Sequence, residues 1–284
     1  MKNLNKVSVY IPTHNRLALL KRALHSVQNQ TYENIEIVVV DDGSTDGTTE
    51  FLKNASSQDS RVKYIRHDKP KGANAARNTA ILNATGEYIT GLDDDDEMMP
   101  NRIEEFLKNY DPKYAFICAR SIQVDNNGNF IAYYPESCFE TITLDEMLYA
   151  NIAGNQIFTT RQKMMDYGLF DEKLLASQEY DLWLRMLRDN PVAKQICEPL
   201  SKIYKHDNRI STSSKKTKGY LQCYTKHKKI MNKRQRQRRL TLIRSFKNKW
   251  PPDTFKTTMV MLPERSWPRY FLKLFVKKLK GLLK

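Results

Sequence analysis

Between Val7 and Leu92 the chain alternates short apolar or β-branched runs with stretches of helical periodicity, and that alternation restricts the fold more than any other feature. Val7 to Pro12 reads as a strand stopped by proline, after which Leu17, Leu20, Leu24 and Val27 fall at helical spacing. Ile35 to Val40 is almost wholly apolar, the pattern of a strand buried on both faces, and Asp41 to Gly47 supply turn and capping residues for a helix from about Thr48 to Lys53. Val62 to Arg66 predicts a third strand, Ala73 to Ala84 an alanine-rich helix and Glu87 to Leu92 a fourth strand. Such a succession forms a parallel sheet with right-handed crossovers. Past Pro100 the pattern loosens. A helix is expected from Asn101 to Tyr110, strands over Tyr114 to Ala119 and Phe130 to Tyr134 around a turn at Asp125 to Asn129, another strand within Ile152 to Thr159, a turn at Gly168 to Asp171, and a helix over Ser177 to Leu187.

Three polar loops, Thr13 to Arg16, Asp41 to Ser44 and Asp93 to Asp96, follow the carboxyl ends of their predicted strands, which is the binding edge of an open α/β sheet. Four consecutive aspartates repel one another unless a cation or a set of donors compensates, so the run marks a site for a hard divalent metal, with a solvated acidic turn as the bland alternative. An EF-hand loop is excluded: counted from Asp93 the twelfth residue is Glu104, but the sixth is Met98 where that loop needs glycine. A strand ending in Asp-x-Asp suits Mg²⁺ or Mn²⁺ held by one or two carboxylates and completed by the phosphates of a nucleotide.

Of the 47 lysines and arginines, 22 lie from Lys215 onward, with only 2 of the 32 acids, so the formal charge of +15 conceals a mildly acidic body over residues 1–214. The chain therefore divides into a main domain, 1–214, and a basic helical extension, 215–284. The pI says nothing about nucleic-acid binding by the body, and no nucleic-acid module is recognisable. Cys118, Cys138, Cys197 and Cys223 are widely spaced without a C-x-x-C pair, so they are expected to be reduced thiols of a cytosolic protein. No signal-peptide region and no uninterrupted apolar run of membrane-spanning length is present, so neither membrane crossing nor export by that route is expected.

The runs VSVYIPTHNR (7–16), VVVDDGSTDGT (38–48), GANAARNTAI (72–81), GEYITGLDDDDEMMPNRI (86–103) and SQEYDLWLR (177–185), in this order and spacing, closely resemble the family 2 glycosyltransferases with the GT-A fold. The resemblance spans about residues 5–212. It implies an α/β fold with a mostly parallel sheet flanked by helices, a Rossmann-like nucleotide-binding half, and an inverting, metal-dependent transfer of a sugar in bacterial surface-polysaccharide synthesis. By the same resemblance Pro12 and Thr13 line the nucleobase, Asp42 pairs with the uracil ring of a UDP-sugar, and Arg77 lies near the donor's phosphates or sugar. Asp93 and Asp95 match the Asp-x-Asp carboxylates, Asp95 as the direct metal ligand, and Asp94 faces the ribose or sugar. The family's base is the acid six residues before the arginine of the L-W-x-R helix, which here is Glu179 before Arg185. Gln178-Glu179 replaces the usual Glu-Asp, leaving Asp181 as the alternative base. His206 resembles a histidine of a mobile loop that covers the diphosphate. A non-catalytic sugar-nucleotide-binding or scaffold protein of the same fold is the alternative function.

The extension carries its own signal. Phe271, Leu272, Phe275, Val276, Leu279, Leu282 and Leu283 gather on one helical face, with Lys273, Lys277, Lys280 and Lys284 mostly elsewhere, the pattern of a helix lying in a membrane interface. The expected partners are thus a nucleotide-sugar donor, a glycan or lipid-linked glycan acceptor and an anionic membrane surface, with no nucleic acid. The expected location is cytoplasmic, peripheral to the inner face of the membrane.

Overall fold

The computed structural model describes residues 5–136, 138–205 and 213–245. The first half is the anticipated alternation: β1 (Val7–Thr13), α1 (Leu17–Gln28), β2 (Ile35–Asp41), α2 (Thr48–Gln58), β3 (Val62–Arg66), α3 (Ala73–Asn83) and β4 (Tyr88–Gly91). The second half is more varied, with β5 (Glu97–Met98), α4 (Arg102–Lys108), β6 (Ile117–Val124), β7 (Phe130–Tyr134), β8 (Thr141–Thr143), α5 (Leu144–Tyr149), β9 (Phe158–Thr160), α6 (Arg161–Asp166), α7 (Gln178–Asp189) and β10 (Val192–Tyr204). The helices α8 (Ser213–His227) and α9 (Lys233–Ser245) follow.

All these strands join one sheet in the order β3-β2-β1-β4-β9-β6-β10-β5, with β7 on β6 and β8 on β10. β3, β2, β1 and β4 run parallel, whereas β9 is antiparallel to both of its neighbours. The fold is therefore the mostly parallel, helix-flanked GT-A architecture.

The period-two alternation of the strands explains why both faces are covered. Val7, Val9 and Ile11 of β1 with Ile35, Ile37 and Val39 of β2 face one layer, containing Leu20 and Leu24 of α1, Leu52 of α2 and Phe106 of α4. Tyr10, Val38 and Val40 point the other way, toward Ala76 and Ala80 of α3 and Trp183, Leu184 and Leu187 of α7. Trp183, Phe106 and Phe158 are fully buried, and burial of each such side chain contributes about 1.5–3 kcal/mol. The second layer also takes in Cys223 of α8 and Met231, so the start of the basic extension packs on the same core.

The expectation of four reduced thiols is corrected. Cys138 and Cys197 form a disulfide with Cα atoms 5.5 Å apart, while Cys118 and Cys223 are free and buried. β10 carries Cys197 back beside the segment after β7, a pairing across 59 residues that spacing alone does not reveal. The segment Ile152 to Thr159 yields a strand only at its end, as β9 begins at Phe158.

Candidate active site

Thr13, Asp42 and the aspartate run meet at the carboxyl edge of β1, β2 and β4, because the parallel register sets Thr13 beside Asp41 and Tyr10 beside Gly91. Pro12, within β1, is buried opposite Val40. The Asp42 amide donates to the Thr13 carbonyl at 2.8 Å, and the Thr13 hydroxyl donates to Asp94 Oδ2 at 2.8 Å. Arg16, just past β1, donates from Nη1 to Asp94 Oδ1 at 2.8 Å and to Asp95 Oδ2 at 2.9 Å. A single guanidinium thus offsets part of the charge of two adjacent carboxylates. Burial still pushes the Asp94 carboxyl up to about 6 against the pull of Arg16 and Thr13. Asp96 is raised well above the usual range by burial and by Asp93 and Asp95, although it accepts from the Tyr204 amide.

The two acids at the end of β2, Asp41 its last residue and Asp42 the next, have different tasks. Asp41 accepts from the Ser44 amide, the Thr49 hydroxyl and Arg66, which closes its own turn. Asp42 accepts from His67 Nδ1 at 2.7 Å and from the Lys71 and Gly72 amides at 2.8 Å each, so its carboxylate organises the loop into α3. Burial opposes charge on Asp42, but these donors outweigh it and hold the carboxyl below its ordinary value.

Across the crevice, the N-terminal turn of α7 presents Glu179. Arg77 of α3 bridges the two sides, with Nη2 donating to Asp93 Oδ1 at 2.8 Å and lying 3.3 Å from Glu179 Oε1. Burial would weaken the Arg77 charge, yet Asp93 and Glu179 more than restore it. Glu179 also accepts from Gln178 Nε2 at 2.9 Å. Its carboxyl is raised above the usual range, first by burial and then by Asp93, against the pull of Arg77. A carboxylate tuned upward at a crevice is suited to accept a proton near neutral pH.

Asp181, the alternative base, turns away from this crevice. Fully buried, it is held by Arg185 Nε at 3.0 Å, Lys226 Nζ at 2.9 Å and His227 Nε2 at 2.7 Å. Burial is outweighed by these partners, and the carboxyl is lowered. Of the residues singled out in the sequence, the structure brings together Thr13, Asp42, Arg77, Asp93, Asp94, Asp95 and Glu179; His206 lies outside the described residues.

Some pairings carried no sequence signal of their own. Arg16 on Asp94 and Asp95, and His67 on Asp42, show only in the fold. The Gln156 carboxamide, which accepts from Tyr10 OH at 3.3 Å, lies over Gly91 at the end of β4. A Cβ on Gly91 would collide with Gln156 and with the Tyr10 ring. Gly91→Ala should accordingly lower stability by about 1–3 kcal/mol, read as a lower urea midpoint with an unchanged slope.

Hard oxygen donors suit Mg²⁺ or Mn²⁺, and Asp93 and Asp95 are the less buried members of the first three aspartates, with side-chain exposures of 18% and 26% against 7% for Asp94. No cluster of three or more potential ligands exists among the described residues. The residues fit a cation held by one or two carboxylates and completed by phosphate and water.

The profile of Glycosyl transferase family 2 matches residues 8–170. A protein of Escherichia coli strain K12 named for colanic acid biosynthesis, the glycosyl transferase WcaA, is 36% identical over 278 residues, covering 95% of this chain and 97% of that one. The GalNAc(5)-diNAcBac-PP-undecaprenol beta-1,3-glucosyltransferase of Campylobacter jejuni is 28% identical, covering 74% and 69%. In fold, the chain is similar to the mannosyltransferase PcManGT of Pyrobaculum calidifontis, solved with GDP-Man and Mn²⁺, at a TM-score of 0.59 and 19% identity over 81% of this chain and 66% of that one. The crevice where the Asp93–Asp96 run faces Glu179, the matched motifs and the near full-length relative lead to one statement: this chain belongs to glycosyl transferase family 2.

Proposed function

We propose that the chain catalyses inverting transfer of a sugar from a UDP-sugar to a hydroxyl of a glycan or lipid-linked glycan in surface-polysaccharide synthesis. The observation that carries this reading is the Asp93–Arg77–Glu179 bridge, which holds a buried carboxylate of raised pKa opposite the acidic strand end. Glu179 accepts the proton of the acceptor hydroxyl as its oxygen attacks the anomeric carbon, and the bond to the nucleoside diphosphate breaks in the same displacement. One displacement inverts the centre without a covalent enzyme intermediate. Arg77 orients Glu179 and adds positive charge beside the donor. Asp42, with three protein donors on its carboxylate, retains acceptor capacity for one N–H of a base such as uracil. Pro12 and Thr13 wall that base, and Thr13 and Arg16 hold Asp94 for the ribose or sugar. A divalent cation held by Asp95, with Asp93 beside it, would offset the charge that develops on the leaving diphosphate.

Two features support this scheme beyond the site. Relatives named for colanic acid synthesis and for an undecaprenol-linked acceptor favour a membrane-bound glycan as substrate. The test is calorimetric titration with UDP-, GDP- and dTDP-sugars, with and without Mn²⁺, followed by turnover assays with the tightest donor. Saturable Mn²⁺-dependent binding of a UDP-sugar is expected; preference for a GDP- or dTDP-sugar would overturn the UDP assignment.

A membrane contact through residues 267–284 belongs to the same proposal. Those residues lie outside the described ones, and no helix among the described residues is long and apolar enough to cross a membrane. The segment holds six lysines and arginines, each contributing about 1 kcal/mol near an anionic leaflet, beside an apolar face that adds burial. Full-length protein should float with anionic liposomes, and protein lacking residues 267–284 should float less while keeping turnover on a soluble acceptor. Equal flotation with a large fall in melting temperature would point instead to a packing role for the segment.

A further inference from the structure

The turn that carries Glu179 is not secured by its own cap. Ser177, the residue before α7, has a left-handed backbone with φ 63°, and its side chain makes no capping hydrogen bond. Contacts from α8 hold this turn instead, among them a hydrogen bond between Tyr220 and Ser177 and one from the Leu175 amide to Gln222 Oε1, and two further contacts flank Glu179. Gly219 packs so closely on Ala176 that a Cβ there would collide with the Ala176 backbone nitrogen and Cα. One turn into α7, Asp181 is gripped by Lys226 and His227 at the far end of α8, at 2.9 and 2.7 Å. The two contacts bracket Glu179, one on each side in sequence, and α9 adds the Arg239 guanidinium 4.0 Å from the Tyr180 ring centre.

We propose that α8 is a positioning element for transfer, in which Gly219 against Ala176 and the His227–Lys226 grip on Asp181 fix the place of Glu179 at the crevice. This rests on Glu179 being the base. The need for such a device follows from geometry, because a base displaced by about 1 Å can slow a reaction a hundredfold. Asp181, Lys226, His227 and Gly219 touch no reacting group in this scheme; they act through Glu179. The basic extension then has two separable parts, a first part that sets the base and a distal one directed at the membrane.

The test compares His227→Leu, His227→Gln and Gly219→Ala in the full-length protein, by amide hydrogen exchange across residues 181–184 and by steady-state kinetics. Glutamine can donate to Asp181 from nearly the same place as the imidazole, whereas leucine cannot. For His227→Leu and Gly219→Ala, exchange of those amides should rise at least about tenfold, and kcat should fall roughly ten- to a hundredfold. Exchange in β1 and β2, the donor KM and the affinity for UDP with Mn²⁺ should stay within about twofold. His227→Gln should restore both exchange and kcat. The proposal is overturned by wild-type exchange in the leucine variant, by an unchanged kcat despite faster exchange, or by a glutamine variant as slow as the leucine one. If Gly219→Ala does not fold, the His227 pair decides alone. A wild-type protein inactive on every sugar nucleotide would refute the transferase reading, while the exchange data would still decide whether α8 fixes the turn.

Discussion

Replacement of Glu179 by glutamine should slow transfer by roughly 10²- to 10⁴-fold while UDP binding in the presence of Mn²⁺ is retained. The carboxylate is the acid placed by Arg77 opposite Asp93, and its amide cannot accept the acceptor's proton. Because glutamine preserves shape and can still hydrogen-bond its neighbours, the loss should fall on kcat rather than on the donor KM. The pH profile supplies a second readout. Burial raises the Glu179 carboxyl, so in the proposed role of base it is protonated and inactive below that raised value. Wild-type kcat should therefore rise with pH through a pKa above the ordinary glutamate value, and this limb should vanish in the glutamine variant. Asp181→Asn should be milder, since Asp181 faces Arg185, Lys226 and His227 rather than the crevice. A reversed order of the two losses would make Asp181 the base.

How much of this was legible in the sequence depended on whether the relevant interactions were local. Strands such as Ile35–Asp41 declare themselves because burial on both faces requires an unbroken apolar run, and the turn after them because Asp41 and Ser44 bond within it. The order β3-β2-β1-β4 is seen only in the structure, whereas the first four strands themselves and the helices between them follow from that local code. β10 does not, although it is 13 residues long and central to the second half. Its run contains Lys194, Glu198, Pro199 and Lys202, and its register against β6 shifts on either side of Pro199, so no simple alternation marks it. The same limit applies to the site. The aspartate run is visible because the charges are adjacent, but Arg16 on Asp94 and Asp95 spans about 80 residues, and His227 on Asp181 spans 46. The choice between Glu179 and Asp181 could not be made on the helix alone: both stand in its first turn, and only the elements packed around them separate an acid facing Arg77 from one locked under α8.

Asp95→Ala should abolish turnover and remove the Mn²⁺ dependence of nucleotide binding without unfolding the protein. Asp95 is the outermost of the first three aspartates, and its carboxylate is bonded to Arg16, which keeps Asp94 as a second partner in the variant. The substitution thus takes away one hard oxygen donor and one negative charge from a surface where neighbouring carboxylates repel, so a fall in melting temperature is not expected. Its effect on the donor is larger. A nucleoside diphosphate brings several negative charges toward Asp93, Asp94 and Asp95, and binding beside those acids requires that the charge be offset. Among the described residues, Arg16 and Arg77 already share their charge with carboxylates, Arg77 with Asp93 and Glu179, so what they offer the donor is reduced and a divalent cation is the proposed further compensating charge. With the donor oxygen of Asp95 gone, calorimetry should show UDP binding weakened and the same with or without Mn²⁺, together with loss of transfer. Tight, Mn²⁺-dependent UDP binding by the Asp95→Ala protein would move the metal ligand to Asp93 or Asp96, and with it the place of the diphosphate in the crevice.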